Sequence, residues 1–148
     1  MAIEKVRDYL KQYGREKDIK EFEASSATVE PARIAKTLSF CGKEEGSCIL
    51  VVTAGDRKVD NSKFKHFFGM KAKMPKGEEV EALTGHAIGG VCPFANPAGA
   101  SVYLDESLKR FDTVFPAAGS ANSAIELTCE ELFALSRARE WVDVCKEV

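Results

Sequence analysis

The chain is poor in the residues that usually announce ready-made chemistry: its 148 residues include two histidines, one tryptophan and five cysteines, with no Cys-x-x-Cys pair. Two isolated histidines, His66 and His86, argue against a histidine-rich metal site. An odd cysteine count without metal-ligand spacing argues against both a zinc site and a disulfide framework. Cys41, Cys48, Cys92, Cys129 and Cys145 therefore read as reduced thiols. Long apolar runs are missing too. The longest, Cys48 to Val52, has five residues, against the ~20 a membrane helix requires. Charges are mixed from the first residues, Met1-Ala2-Ile3-Glu4-Lys5-Val6-Arg7, so no secretory signal is expected and the reading is a cytoplasmic protein. Low-complexity tracts, repeats and linkers are also absent, so residues 1–148 read as one domain, with 45% hydrophobic residues available for its core.

A strong net charge is lacking as well, at −2, but the charge is unevenly distributed. Between Arg57 and Lys76 lie Arg57, Lys58, Lys63, Lys65, Lys71, Lys73 and Lys76 against Asp60 alone, a local excess of +6 that leaves −8 for the rest. Such a block is either a footprint for phosphates or a solvated lysine-rich face.

Turning to what is present, Ile3, Val6, Leu10 and Tyr13 recur at helical spacing, which predicts an amphipathic helix closed by Gly14. Ile19 to Glu23 reads as a short strand. Ser25-Ser26-Ala27-Thr28 offers cap chemistry ahead of Pro31, and Ile34, Ala35 and Leu38 then predict a short helix over Pro31 to Leu38. Ser47 to Ala54 is the strongest strand, bounded by Gly55-Asp56. Asp60 caps a helix through Phe67 that Gly69 stops, and Gly77 to Leu83 is helical after an extended piece over Lys71 to Met74. Strands are expected at Ile88 to Val91, Ser101 to Leu104, Thr113 to Phe115, Ala124 to Leu127 and Trp141 to Val144. Thr128-Cys129-Glu130-Glu131 opens a helix as a capping box. Strands and short helices alternate without repeated βαβ units, so a mixed sheet is favoured over a doubly wound one.

Chemistry has few places to reside. In Gly89-Gly90-Val91-Cys92-Pro93-Phe94, adjacent glycines permit close backbone approach and Pro93 fixes the exit, so the segment is either a loop presenting amides to an oxyanion or a plain turn. Cys92 with His86 as its base is a weaker possibility, because no third group orients the base. Lys36 reads as a solvent-facing helix lysine or as a lysine held at a pocket rim to grip a phosphate or ester oxygen. Ser120 and Asn122 fit turn chemistry ahead of a strand as well as they fit binding.

Taken in order, Ser25-Ser26-Ala27-Thr28, Ile34-Ala35-Lys36-Thr37-Leu38, Val51-Val52-Thr53-Ala54-Gly55-Asp56, Leu83-Thr84-Gly85, Gly89 to Phe94, Val102-Tyr103-Leu104-Asp105-Glu106-Ser107-Leu108 and Ile125-Glu126-Leu127 resemble the YbaK/ProX family. These are free-standing aminoacyl-tRNA deacylases related to the editing domain inserted in bacterial prolyl-tRNA synthetases, and the resemblance runs from about Phe22 to Leu135. It implies an α/β domain with a mixed, curved, barrel-like sheet surrounded by short helices, and hydrolysis of the ester on a mischarged tRNA, such as tRNA-Pro, without metal or organic cofactor. It implies that Lys36 contacts the terminal adenosine and phosphate, and that Gly89, Gly90 and Val91 belong to a Gly-x-x-x-Pro loop whose amides approach the scissile carbonyl. A water then attacks the ester, helped by the substrate's ribose hydroxyl. Phe22, Thr28, Thr37, Cys92, Pro93, Ser120 and Asn122 become substrate-binding expectations, and Lys58, Lys63 and Lys65 tRNA-binding ones. Prolyl-tRNA synthetase is the implied partner; the alternative is a tRNA-binding module without turnover. Ala121-Asn122-Ser123-Ala124 departs from the run expected of cysteinyl-directed members, and no histidine lies near Pro116, so the edited amino acid is read only as small.

Overall fold

The computed structural model describes residues 2–21, 31–86, 91–120 and 123–148. Helix α1, Ala2–Lys11, buries Val6 and Leu10 completely, as its periodicity predicts. After β1, Lys20–Glu21, a 3-10 turn at Pro31–Arg33 leads into β2, Ile34–Cys41, and then β3, Cys48–Ala54. Next come β4, Arg57–Val59; α2, Asn61–Phe68; α3, Gly77–Thr84; and β5, Ala100–Asp105. The short strands β6, Phe115–Pro116, and β7, Ser123–Ala124, precede α4, Cys129–Ser136, and the chain ends with β8, Glu140–Val142, and β9, Cys145–Glu147.

The main sheet is mixed, in the order β6-β2-β3-β5-β8. Only β2 and β3 are antiparallel; the β2–β6, β3–β5 and β5–β8 pairs are parallel. Isolated bridges Val114 to Leu127 and Ala117 to Ala124 carry hydrogen bonding past β6 to β7, which pairs with β1, so the sheet curls at this side. β4 and β9 form a separate antiparallel pair. Every residue of β3 is buried, so the strand needs apolar side chains on both faces, and its unbroken Cys48 to Val52 run supplies them.

The two faces carry different cores. On one, Cys48, Leu50 and Val52 meet Val6 and Leu10 of α1 and Leu132 and Leu135 of α4. On the other, Phe40, Ile49, Val51 and Tyr103 meet Phe64 and Phe68 of α2. The ring centroids of Phe64 lie 4.9 Å from Phe40 and 4.5 Å from Phe68, and Phe68 lies 4.9 Å from Tyr103. Aromatic pairs of this kind add about 0.5–1.5 kcal/mol each beyond the area they bury, which fixes where α2 crosses the sheet. Both its ends follow the sequence. The Asp60 carboxylate accepts the Ser62 and Lys63 N–H groups, and Gly69 takes φ +72° as the C-cap. In α4, Thr128 and Glu131 form the expected capping box.

The predicted Pro31 to Leu38 helix is corrected to a strand: β2 begins at Ile34 and runs to Cys41. Its side chains alternate, Ile34, Lys36, Leu38 and Phe40 on one face and Ala35, Thr37 and Ser39 on the other. Pairing with β3 along its full length overrides the helical tendency of Ala, Lys and Leu. Just before it, the Pro31 carbonyl sits where a Cβ on Gly55 would be 2.0 Å away, so only glycine lets the strands meet there. The extended piece at Lys71 to Met74 makes no strand; its tie to the sheet is the Cys41 N–H donated to the Lys73 carbonyl at 2.7 Å. Strands β4 and β9 had no sequence signal, and Val91 lies in no strand. The cap signal at Ser25 to Thr28 and most of the strand predicted at Ile88 to Val91 lie outside the described residues.

Candidate active site

One strand edge opens onto a cavity. β6 covers only Ile34 and Ala35 of β2, and the Lys73 carbonyl takes up the N–H of Cys41 at the strand's other end. The Gly42 N–H goes to the Ser47 carbonyl, which makes Cys41–Cys48 a non-hydrogen-bonded pair of the antiparallel ladder. By the two-residue alternation, Thr37 and Ser39 turn their backbone N–H and C=O groups away from β3, toward an edge with no strand partner among the described residues. Along that edge lies a cavity of about 470 Å³, walled by residues 34–39, Met74, Pro75, Gly77, Val80, Val91, Phe115, Ala117, Ser123 and Ala124. This is the size and largely apolar character of a small-ligand site.

Polar groups in the wall are few. Lys36 is half-buried and has no carboxylate within ion-pair distance among the described residues. Burial pushes the Cys145 thiol up to about 12, and the Lys36 ammonium opposes part of that rise, which sets the cation on the α2 side of the sheet. Thr37 contributes a buried Oγ1 with no hydrogen-bond partner among the described residues. A buried hydroxyl left unpaired costs about 1–3 kcal/mol, and this oxygen is closed off from solvent although its residue borders the cavity. Ser123 accepts from the Ser120 hydroxyl at 2.7 Å, which puts Ser120 directly behind the wall.

The structure thus brings Lys36, Thr37 and Val91 to one cavity, with Ser120 behind it. Cys92 and Pro93 are instead buried beyond Val91. The Cys92 Sγ lies 3.4 Å from His86 Nε2, but both residues are fully buried, and burial pushes the thiol up to about 12. His86 Nε2 lies 2.7 Å from the Phe94 carbonyl, which fixes Nε2 as the protonated donor; Nδ1 has no partner among the described residues. Pro93 lines a separate recess of about 200 Å³ with Tyr9, Asn96 and Arg137. Phe22, Thr28, Gly89, Gly90 and Asn122 lie outside the described residues.

The lysines divide. Lys63 donates to the Asp143 carboxylate and the Cys145 carbonyl, both at 3.1 Å, and Arg57 faces Asp56 and Glu147. Lys58 and Lys65 are exposed on β4 and α2, without an ion pair among the described residues. Sequence reasoning missed Met74, Pro75, Gly77, Val80, Phe115 and Ser123. The signal was faint: Met74-Pro75 is an apolar pair within a lysine-rich stretch.

A mixed sheet with a ligand-sized cavity along the edge of β2, whose wall includes a lysine, describes a class of binding or hydrolytic domain. The comparisons make it specific. Residues 16–135 match the aminoacyl-tRNA editing domain family, and the chain belongs to it. It is 54% identical over 156 aligned residues to the uncharacterized protein YwhH of Bacillus subtilis (strain 168), covering 99% of both chains. It is 29% identical over 117 residues to EbsC of Enterococcus faecalis (strain ATCC 700802 / V583), named as a candidate Cys-tRNA(Pro)/Cys-tRNA(Cys) deacylase, covering 78% of this chain and 71% of that one. A crystal structure described as a candidate trans-editing enzyme for prolyl tRNA synthetase superposes with a TM-score of 0.86 at 29% identity, covering 98% and 97% of the two chains.

Proposed function

We propose that the protein is a trans-editing deacylase that hydrolyses the ester between a small amino acid and the 3′ end of a mischarged tRNA, such as tRNA-Pro, in the cytoplasm. The observation that carries this reading is the β2-edge cavity, whose mostly apolar wall holds Lys36 with no ion pair among the described residues. In this reading Lys36 holds the terminal nucleotide by its phosphate or ester oxygen, a task suited to a point charge. In the same reading, the segment from Gly89 to Val91 donates backbone N–H groups to the carbonyl oxygen as it becomes an oxyanion. A water oxygen attacks the carbonyl carbon, the bond to the ribose oxygen breaks, and that oxygen leaves with a proton. The neighbouring ribose hydroxyl orients the water.

The cavity wall supports selection by size: Ala117, Ala124 and Val91 leave room for a small side chain, and Phe115 and Val80 limit a larger one. Apolar pockets discriminate by only ~1–3 kcal/mol per methylene, so the expected substrates form a group of small amino acids. Prolyl-tRNA synthetase is the natural partner for such an activity. The decisive experiment incubates purified protein with a panel of mischarged tRNAs carrying Ala, Ser, Cys or Thr. Deacylation above the spontaneous rate for at least one is expected. A flat panel, with tRNA binding retained, would leave a non-catalytic binding module.

A further inference from the structure

We propose that the rim 73–76 seats the unpaired 3′ end of an RNA, with Met74 against a base and Lys73 and Lys76 on the flanking phosphates; this rests on the tRNA reading above and says where the strand enters. Met74 and Pro75 line the cavity, and the Met74 side chain is 62% exposed, an apolar group facing water at the mouth of the site. The rim is anchored. Met70 and Ala72 pack into the α2-side core, the Cys41 N–H holds the Lys73 carbonyl, and the intervening Lys71 and Lys73 are left facing solvent.

Charge points to the same occupant. Within the +6 block, Arg57 and Lys63 are engaged by carboxylates, while Lys71, Lys73 and Lys76 form no ion pair among the described residues. Lys73 and Lys76 bracket Met74 in sequence, and their Cα atoms can be no more than about 11 Å apart, within reach of successive phosphates for two flexible side chains. Proteins hold single-stranded nucleic acid by tracking its backbone with cations and stacking its bases on side-chain platforms, most often aromatic; here Met74 takes the platform's place between Lys73 and Lys76. A thioether is a soft, polarizable surface for such a ring. Glu78 and Glu79, exposed in the first turn of α3, bound the polyanion's path on the far side. An acidic protein surface would also suit the lysines, but it gives no role to an exposed methionine at a cavity mouth.

The test uses an unacylated, fluorescent RNA hexamer ending in 3′-CCA, titrated with the whole protein between 50 and 200 mM salt. For the double variant Lys73→Ala/Lys76→Ala, the salt slope should fall by about 1.4, two phosphates at ~0.7 each, with affinity at least tenfold weaker at 50 mM. Met74→Ala should weaken binding about tenfold and leave the slope unchanged. Lys11→Ala, on α1, serves as the charge control and should match the wild type. A wild-type slope in the double variant overturns the proposal, as does a wild-type protein that does not bind the hexamer at 50 mM salt. So does intact hexamer binding combined with weakened binding to a prolyl-tRNA synthetase, which would make the rim a protein contact. Failure of the function reading is separate: it is a flat deacylation panel, whatever the hexamer does.

Discussion

Two regions of this molecule hold the residue types associated with acyl chemistry, and they differ in access. Cys92 Sγ and His86 Nε2 lie 3.4 Å apart, yet both residues are sealed in the core and the thiol is held protonated. Thr37 and Lys36 have no Cys–His geometry, but they border a cavity of about 470 Å³. The contrast teaches that nucleophile and base in contact do not make a site when substrate cannot reach them and burial opposes the charged form. A charged side chain at the border of a ligand-sized cavity is the better guide.

The largest expected effect sharpens that contrast directly. Lys36→Ala should lower deacylation kcat/KM at least 100-fold, about 2.7 kcal/mol of lost transition-state stabilisation, with the melting temperature little changed because the half-buried lysine has no ion pair among the described residues. Single-turnover deacylation of a mischarged tRNA that proves to be a substrate measures it. Thr37→Val comes next. Turnover should stay within about threefold because the hydroxyl is closed off from the cavity, while stability holds or rises by up to about 1 kcal/mol, since the variant no longer buries a hydroxyl without a partner among the described residues. Urea unfolding alongside kinetics separates the two readouts, and loss of both together would make Thr37 structural.

The sealed pair should show the reverse pattern. Cys92→Ala should leave deacylation within threefold of the wild type and lower stability by about 1 kcal/mol, as expected when a fully buried side chain is trimmed in the core. An inactive but folded Cys92→Ala protein would break the comparison and revive a thiol mechanism.

How much of this was legible from sequence follows from how local each signal is. α2, α4 and β3 were readable because a capping Asp60, a Thr128–Glu131 box and an apolar run each act within a few residues. β2 was not, since Ile34, Ala35 and Leu38 fit a helical face as well as a strand, and the choice is made by pairing with β3. Lys36 was singled out from the sequence and given its role by the resemblance; its periodicity put it on the wrong kind of element. The cavity's far wall was invisible because it depends on the Cys41 to Lys73 bond, which joins segments distant in the chain. The +6 block was plain in the sequence, but which of its lysines are neutralised is a property of the fold: Asp143 takes Lys63, and Glu147 with Asp56 takes Arg57.

The smallest expected effect concerns His86, the other half of the sealed pair. Burial, with a smaller contribution from the Lys5 ammonium, holds its folded pKa below the ordinary 6.5, against the opposing hydrogen bond to the Phe94 carbonyl. Between that depressed value and 6.5 the unfolded chain binds a proton that the folded chain does not, so stability falls as pH drops through this window and is independent of His86 above it. His86→Gln keeps a donor for the Phe94 carbonyl and removes the titration. Urea midpoints at pH 7.5 and 5.5 should therefore differ less in the variant than in the wild type. An unchanged difference in His86→Gln would mean that the imidazole takes up its proton within the fold, and that the pair beside Val91 is less sealed than its burial implies.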